Sequence, residues 1–221
     1  LVLHLSGNPP VFFERADGSI LMGSTGGDIW GTADAFRLAY KRLSGNGSIV
    51  ARVDSIVNTS AWAKGGVMVR ETLSAGSKFA AVYITPGNGC RFQARTGTDI
   101  DATSDTSVVT AQQTAITAPY WVKLERDIAG NFRASYSANG STWTAMSWNP
   151  QNITMSSTVY VGLALTSHNA NAVCQAQFSN VTITGTVGQQ WAHQDIGILN
   201  NNPEPLYVAV SNSTGNPAVV V

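Results

Sequence analysis

The acidic residues are the first candidates for chemistry. Glu125 and Asp127 stand two apart in Glu125-Arg126-Asp127, which on a strand puts both carboxyls on one face roughly 7 Å apart. Glycoside hydrolysis needs such a pair, one carboxyl to donate a proton and the other to attack or to activate water. No third acid follows, because Ala129 and Gly130 come next, and the pair reads as a solvated strand end. No catalytic residue is therefore assigned. Asp99, Asp101 and Asp105 cluster in a Thr/Ser-rich loop, with Asp28 and Asp34 as a second source of oxygen ligands. These five are the candidates for a structural Ca²⁺, although the glycine and final bidentate Glu of a helix-loop-helix calcium site are missing. No other cofactor is expected: His4, His168 and His193 are scattered, and neither a zinc spacing, a phosphate loop nor a nucleophile elbow is present.

A second chemistry is sugar recognition, which needs aromatic faces for the apolar side of a ring and planar polar groups for its hydroxyls. Of the six tryptophans, Trp30 and Trp121 lie among core-like residues and read as structural, and Trp143 and Trp148 flank a turn. Trp62 follows a Ser/Thr loop and opens a strand, at the rim of any groove. Arg70 faces opposite to Val67 and Val69, and Arg91, Gln93 and Arg95 face opposite to Cys90, Phe92 and Ala94. Trp62, Arg70, Gln93, Arg95 and His168 are thus the carbohydrate-binding candidates if their strands adjoin. Glu71, on the parity of the valines, reads as a buried ion partner for an arginine.

The elements that must position these residues are strands. Ile49, Ala51 and Val53 alternate with Val50, Arg52 and Asp54, and Phe132, Ala134 and Tyr136 alternate with Arg133 and Ser135. Turn strings separate them: Ser44-Gly45-Asn46-Gly47, Pro86-Gly87-Asn88-Gly89, Ala129-Gly130-Asn131 and Asn139-Gly140. One helical turn is expected near Thr32–Phe36, capped by Thr32 or Asp34. The pattern predicts an all-β chain, an antiparallel two-sheet sandwich over 19–186. Residues 1–18 read as an N-terminal extension, 187–205 as a connector, and 206–221 as an additional β-hairpin, either docked or opening a following domain. The free face of one curved sheet would form a concave groove. Cys90 and Cys174 both fall on core parity, either as a disulfide or as two separate buried thiols.

Composition excludes whole classes of partner. Thirteen basic residues balance 13 acidic ones in 221, and only 12% of the chain is charged, so neither nucleic acid nor an acidic membrane surface is expected to bind. No apolar run approaches the ~18 residues that membrane insertion requires. At 43% hydrophobic, with seven Phe, six Tyr and six Trp, the chain can fill a core and is not disordered.

Several strings resemble a known family: Gly27-Asp28-Ile29-Trp30-Gly31-Thr32-Ala33-Asp34-Ala35-Phe36, Gly47-Ser48-Ile49-Val50-Ala51-Arg52-Val53 and Trp62-Ala63-Lys64-Gly65-Gly66-Val67-Met68-Val69-Arg70-Glu71. Thr85-Pro86-Gly87-Asn88-Gly89, Tyr120-Trp121-Val122-Lys123-Leu124 and Val159-Tyr160-Val161-Gly162-Leu163-Ala164-Leu165-Thr166-Ser167-His168 continue in order. Together, over roughly 28–183, they are similar to the concanavalin A-like domains called "regulation of enolase protein 1"-like. The resemblance implies a jelly-roll sandwich from a secreted or surface-attached bacterial protein, often beside glycoside hydrolases. It implies a polysaccharide or glycan as partner, with neighbouring domains of a larger protein. Cys90 and Cys174 replace core residues of the pattern, which favours the disulfide, and Ala94 stands where a basic residue is common. Trp191, Asp195-Ile196-Gly197 and Glu204-Pro205-Leu206-Tyr207-Val208-Ala209-Val210 resemble the opening of a further sandwich module. The expected function is a non-catalytic, lectin-like module binding glycan on the concave sheet. The alternatives are a structural spacer or assembly domain and, last, a divergent glycoside hydrolase or polysaccharide lyase.

Overall fold

The computed structural model describes residues 12–198, together with two strands at 209–211 and 218–220. In chain order the strands are β1 (Phe12–Glu14), β2 (Ile20–Ser24), β3 (Phe36–Ile56), β4 (Lys64–Arg70), β5 (Phe79–Thr85) and β6 (Gly89–Arg95). After β7 (Thr103–Ser104) and the short helix α1 (Ala111–Thr114) come β8 (Tyr120–Arg126), β9 (Asn131–Ser137), β10 (Thr144–Ala145) and β11 (Gln151–Asn152). Then follow β12 (Thr158–Thr166), β13 (Cys174–Val187), β14 (Ala192–Ile196), β15 (Ala209–Ser211) and β16 (Ala218–Val220).

Strand β3 belongs to two layers. Its first half pairs with β12 and β14, and its second half with β8 and β13. The change comes at Ser44–Gly47, where Gly45 takes φ +76, a left-handed conformation that glycine adopts without steric cost. The front sheet therefore runs β14-β3-β12-β4-β5-β6-β7, and the back sheet runs β1-β2-β13-β3-β8-β9, with β10 and β11 beside β9. All pairings are antiparallel.

Between the sheets lies the core that alternation predicted. Val67, Val82, Phe92 and Leu163 of the front sheet meet Ile49, Val122, Phe132 and Phe178 of the back sheet. The outer face of the front sheet departs from the prediction. There Phe36, Leu38, Met68, Phe79, Ala81 and Tyr83 form a second buried cluster with Ile29, Ala102 and Ile196. Strands β4, β5 and β6 are buried along their whole length, so outward parity there does not mean exposure to solvent. The cover is made of loops: Asp34 N–H donates to Ala75 O (3.0 Å), Asp99 N–H to Gly76 O (2.9 Å) and Ala102 N–H to Gly31 O (2.9 Å).

Other boundaries also move. Residues 12–14, read as extension, pair with β2, and residues 192–196, read as connector, pair with the first half of β3. Both strands lie outside 19–186 and widen the sandwich; Phe12 of β1 stacks on His193 of β14 at 5.3 Å. Strands β15 and β16 pair with each other, as the hairpin expected over 206–221 requires. Leu1 to Leu5 and the connector's end at Pro203 and Pro205 lie outside the described residues. The helical turn expected near Thr32–Phe36 is absent because Asp34 is drawn into an ion pair. The helix lies at α1 instead, where Thr110 and Gln113 form a capping box. No helix among the described residues is long and apolar enough to cross a membrane.

Cys90 and Cys174 point inward as predicted but are not bonded. Cys90 starts β6, with Sγ 3.9 Å from Met146 Sδ, whereas Cys174 starts β13 in the other sheet and donates to Val57 O at 3.3 Å. The favoured disulfide is thus replaced by two separate thiols. Burial pushes the Cys174 thiol up to about 11 and Cys90 higher still. Both should be inert to an aromatic disulfide reagent at pH 8 in the native chain, since the thiolate is the nucleophile. Two thiols per chain should titrate after unfolding in guanidinium; immediate native labelling would contradict the burial.

Candidate functional site

Three loops meet at the end of the front sheet where β4 starts and β12 stops. The β2–β3 loop brings Asp28 and Trp30, the β3–β4 loop brings Ser60 and Trp62, and the β12–β13 loop brings His168. A cleft of about 290 Å³ lies among them, floored by Lys64 and Gln93 and edged by Ser104 and Thr106.

The loops are tied by polar contacts. Lys64, only 2% exposed, donates to Asp28 Oδ1 and to Ile29 O (3.1 Å). Burial lowers the Lys64 pKa, with Asp28 opposing the shift. His168 Nε2 lies 3.3 Å from Asp28 Oδ2, and its Nδ1 is 3.2 Å from Ser60 Oγ. Thr59 Oγ1 donates to Ser167 O at 2.7 Å, which fastens the second loop to the third. His168 has φ +52, a left-handed conformation uncommon outside glycine, and these contacts hold it there. Hydroxyl, imidazole and carboxylate thus stand in series, with Asp28 shared with the Lys64 ammonium and Ser60 Oγ accepting from Trp62 N–H at 3.2 Å.

Each tryptophan carries a cation. The Lys64 ammonium sits 5.8 Å from the Trp30 ring centre, and the Arg91 guanidinium 5.4 Å from that of Trp62, within cation–π range. Asp105 holds Arg91 at 3.3 Å and also accepts from Gln113 Nε2 (2.8 Å) and Phe92 N–H (3.4 Å). Trp30 remains 40% exposed. The two indoles therefore stand as fixed aromatic walls with open surface. Gln93 Oε1, on the floor, is buried without a hydrogen-bond partner, an arrangement that costs about 1–3 kcal/mol unless a ligand or water supplies a donor.

Of the five sugar-binding candidates, Trp62, Gln93 and His168 converge here. Arg70 and Arg95 do not: both are fully buried beneath the covering loops, where no ligand on the surface reaches them. Their partner is Asp34, bonded by Arg95 at 2.6 and 2.8 Å and by Arg70 at 3.2 Å. Arg95 also donates to Gly31, Ser77 and Ile100 carbonyls, and so pins three loops over the sheet. Glu71 pairs with Lys78 at 3.2 Å, not with an arginine, and is not buried.

The five calcium candidates do not gather. Asp28, Asp34 and Asp105 each hold basic side chains, Asp99 and Asp101 lie in the β6–β7 loop, and no group of three acidic, His or Cys side chains converges among the described residues. Glu125 and Asp127 lie at the far end of β8 in the back sheet, paired with Lys123 (3.1 Å) and Arg133 (2.8 Å). The sequence reading missed Lys64 and Trp30 as site residues and placed Asp28 only among the calcium candidates. Lys64 shares the parity of Arg70 and was legible; Trp30 sits in a loop whose path no periodicity reports.

This geometry defines a class: an antiparallel two-sheet jelly-roll sandwich. It is similar to solved structures. A functionally unknown protein from Saccharomyces cerevisiae superposes with a TM-score of 0.59 at 15% identity, over 82% of this chain and 96% of that one. An alginate lyase from Pseudomonas aeruginosa follows at TM-score 0.46 and 15% identity, over 81% and 88% of the two chains, and peanut lectin at 0.40 and 9%, over 80% and 91%. Identities this low show fold alone. No protein-family model matches the chain, and no curated protein matches it.

Proposed function

We propose that the chain is a non-catalytic, glycan-binding module of the "regulation of enolase protein 1"-like kind, working in a secreted or surface-attached protein. The observation that carries this reading is the cleft, where two tryptophans wall a floor that holds the Gln93 amide, its oxygen buried without a hydrogen-bond partner. Aromatic walls fit the apolar faces of a sugar ring, and an amide on the floor fits its hydroxyls. The acid pair of the sequence, Glu125 and Asp127, lies in ion pairs on the back sheet, and the carboxylate of the cleft, Asp28, is engaged by Lys64 and His168. The binding surface differs from the expected one: loops cover much of the broad sheet face, so recognition is confined to its open end.

Intrinsic tryptophan fluorescence tests this directly. Titration with oligosaccharides from a plant, algal and bacterial polysaccharide panel should give a saturable change for at least one, without release of reducing ends or unsaturated products. No change across the panel, or product release, defeats the reading.

A further inference from the structure

The charges around the cleft are closed among themselves. Lys64 pairs with Asp28, Arg91 with Asp105, and the two arginines beneath with Asp34. His168 Nε2, on a side chain 35% exposed, lies 3.3 Å from Asp28 Oδ2. Lys64 and Arg91 in the cleft thus each hold a carboxylate, and Arg70 and Arg95, sealed beneath it, share one. Two neutral atoms on this face are buried without a hydrogen-bond partner: the Gln93 amide oxygen and the Tyr83 hydroxyl. Gln93 pairs across the sheet with Ala81, and Tyr83 with Arg91, so the two groups sit diagonally on adjoining strands. A bound carboxylate would be desolvated without a free cation to receive it, and would lie near Asp28. A hydroxyl can donate to the amide oxygen and accept from the amide N–H groups at no such cost.

Resting on the glycan reading above, we propose that the cleft selects an uncharged sugar ring, whose hydroxyls Gln93 recognises, and discriminates against uronic acids. The test is calorimetric titration of the native chain with neutral oligosaccharides (cello-, xylo- and manno-hexaose) and with alginate and polygalacturonate hexamers, at 50 and 300 mM NaCl. The expected result is at least tenfold tighter binding of a neutral hexamer than of any uronate, with an affinity that salt does not change. Gln93→Ala should weaken that binding about tenfold, the worth of roughly one hydrogen bond, with the near-ultraviolet circular dichroism preserved. A uronate bound as tightly as the best neutral sugar, or an affinity that falls with salt, overturns the proposal while leaving glycan binding intact. If no hexamer of either kind binds, the glycan reading falls with it. The neutral-against-uronate comparison uses the unaltered chain and does not depend on the variant folding.

Discussion

Asp34→Asn is expected to destabilise the chain by about 3–5 kcal/mol, the usual cost of removing one member of a buried ion pair. Asp34, Arg70 and Arg95 are all fully buried at the side chain, and two guanidiniums share one carboxylate. Asparagine keeps the volume and removes the charge, so the loss comes from stranded cations and not from a cavity. The excess positive charge is already spread over carbonyls: Arg95 reaches Gly31, Ser77 and Ile100, and Arg70 reaches Thr72 O at 2.7 Å. Rings help, with Phe36 5.0 Å from the Arg70 guanidinium and Phe79 5.1 Å from that of Arg95. Those contacts cannot replace a carboxylate at either guanidinium. Since domains are stable by only about 5–15 kcal/mol, urea unfolding should show a much lower midpoint or a chain that no longer folds. A change below about 1 kcal/mol would mean that the loops are held by their apolar contacts, not by this network. Because Arg95 holds the backbone at Gly31 beside Trp30, any folded variant should also show altered tryptophan fluorescence.

Trp62→Ala is expected to weaken glycan binding by roughly 70-fold. An indole face that removes about 100 Å² from water contributes about 2.5 kcal/mol at 25 cal/mol/Å². The Trp62 ring packs on a cation, Arg91, which keeps its bond to Asp105 when the indole is removed, and the backbone bond from Trp62 N–H to Ser60 Oγ is retained, so the fold should persist. Trp143→Ala is the control: its ring is covered by Lys123 at 5.1 Å on the back sheet and should leave the affinity unchanged. Equal losses in both variants would mean that binding does not occur in this cleft.

The parity of side chains along β4 and β6 was legible, and so was the inward direction of both cysteines, because a pleated strand alternates whatever surrounds it. Exposure was not legible. Arg70, Gln93 and Arg95 lie on the face opposite the core, as alternation requires, yet two of the three are sealed by loops whose paths depend on Asp34 and on carbonyls from three separate turns. Trp30 was misread for the same reason. Its neighbours look like core, and only the folding of the β2–β3 loop over the sheet end leaves its ring open. Whether Cys90 and Cys174 could bond depended on which layer each strand joined, a long-range fact that β3 decides by passing from one sheet to the other.

By itself, the sequence determined the antiparallel sandwich, through period-two alternation and glycine turns. Its balanced and sparse charge gave the expectation that polyanions do not bind, and it held the short list from which Trp62, Gln93 and His168 come. The tertiary structure decided that Arg70 and Arg95 are sealed beneath loops, that the candidate acids are scattered, and that a small cleft holds Lys64, Asp28 and Trp30. The reason is physical. Alternation is a local consequence of backbone geometry, whereas burial and pairing are set by contacts between residues far apart in the chain, and no local pattern encodes where a loop comes to rest.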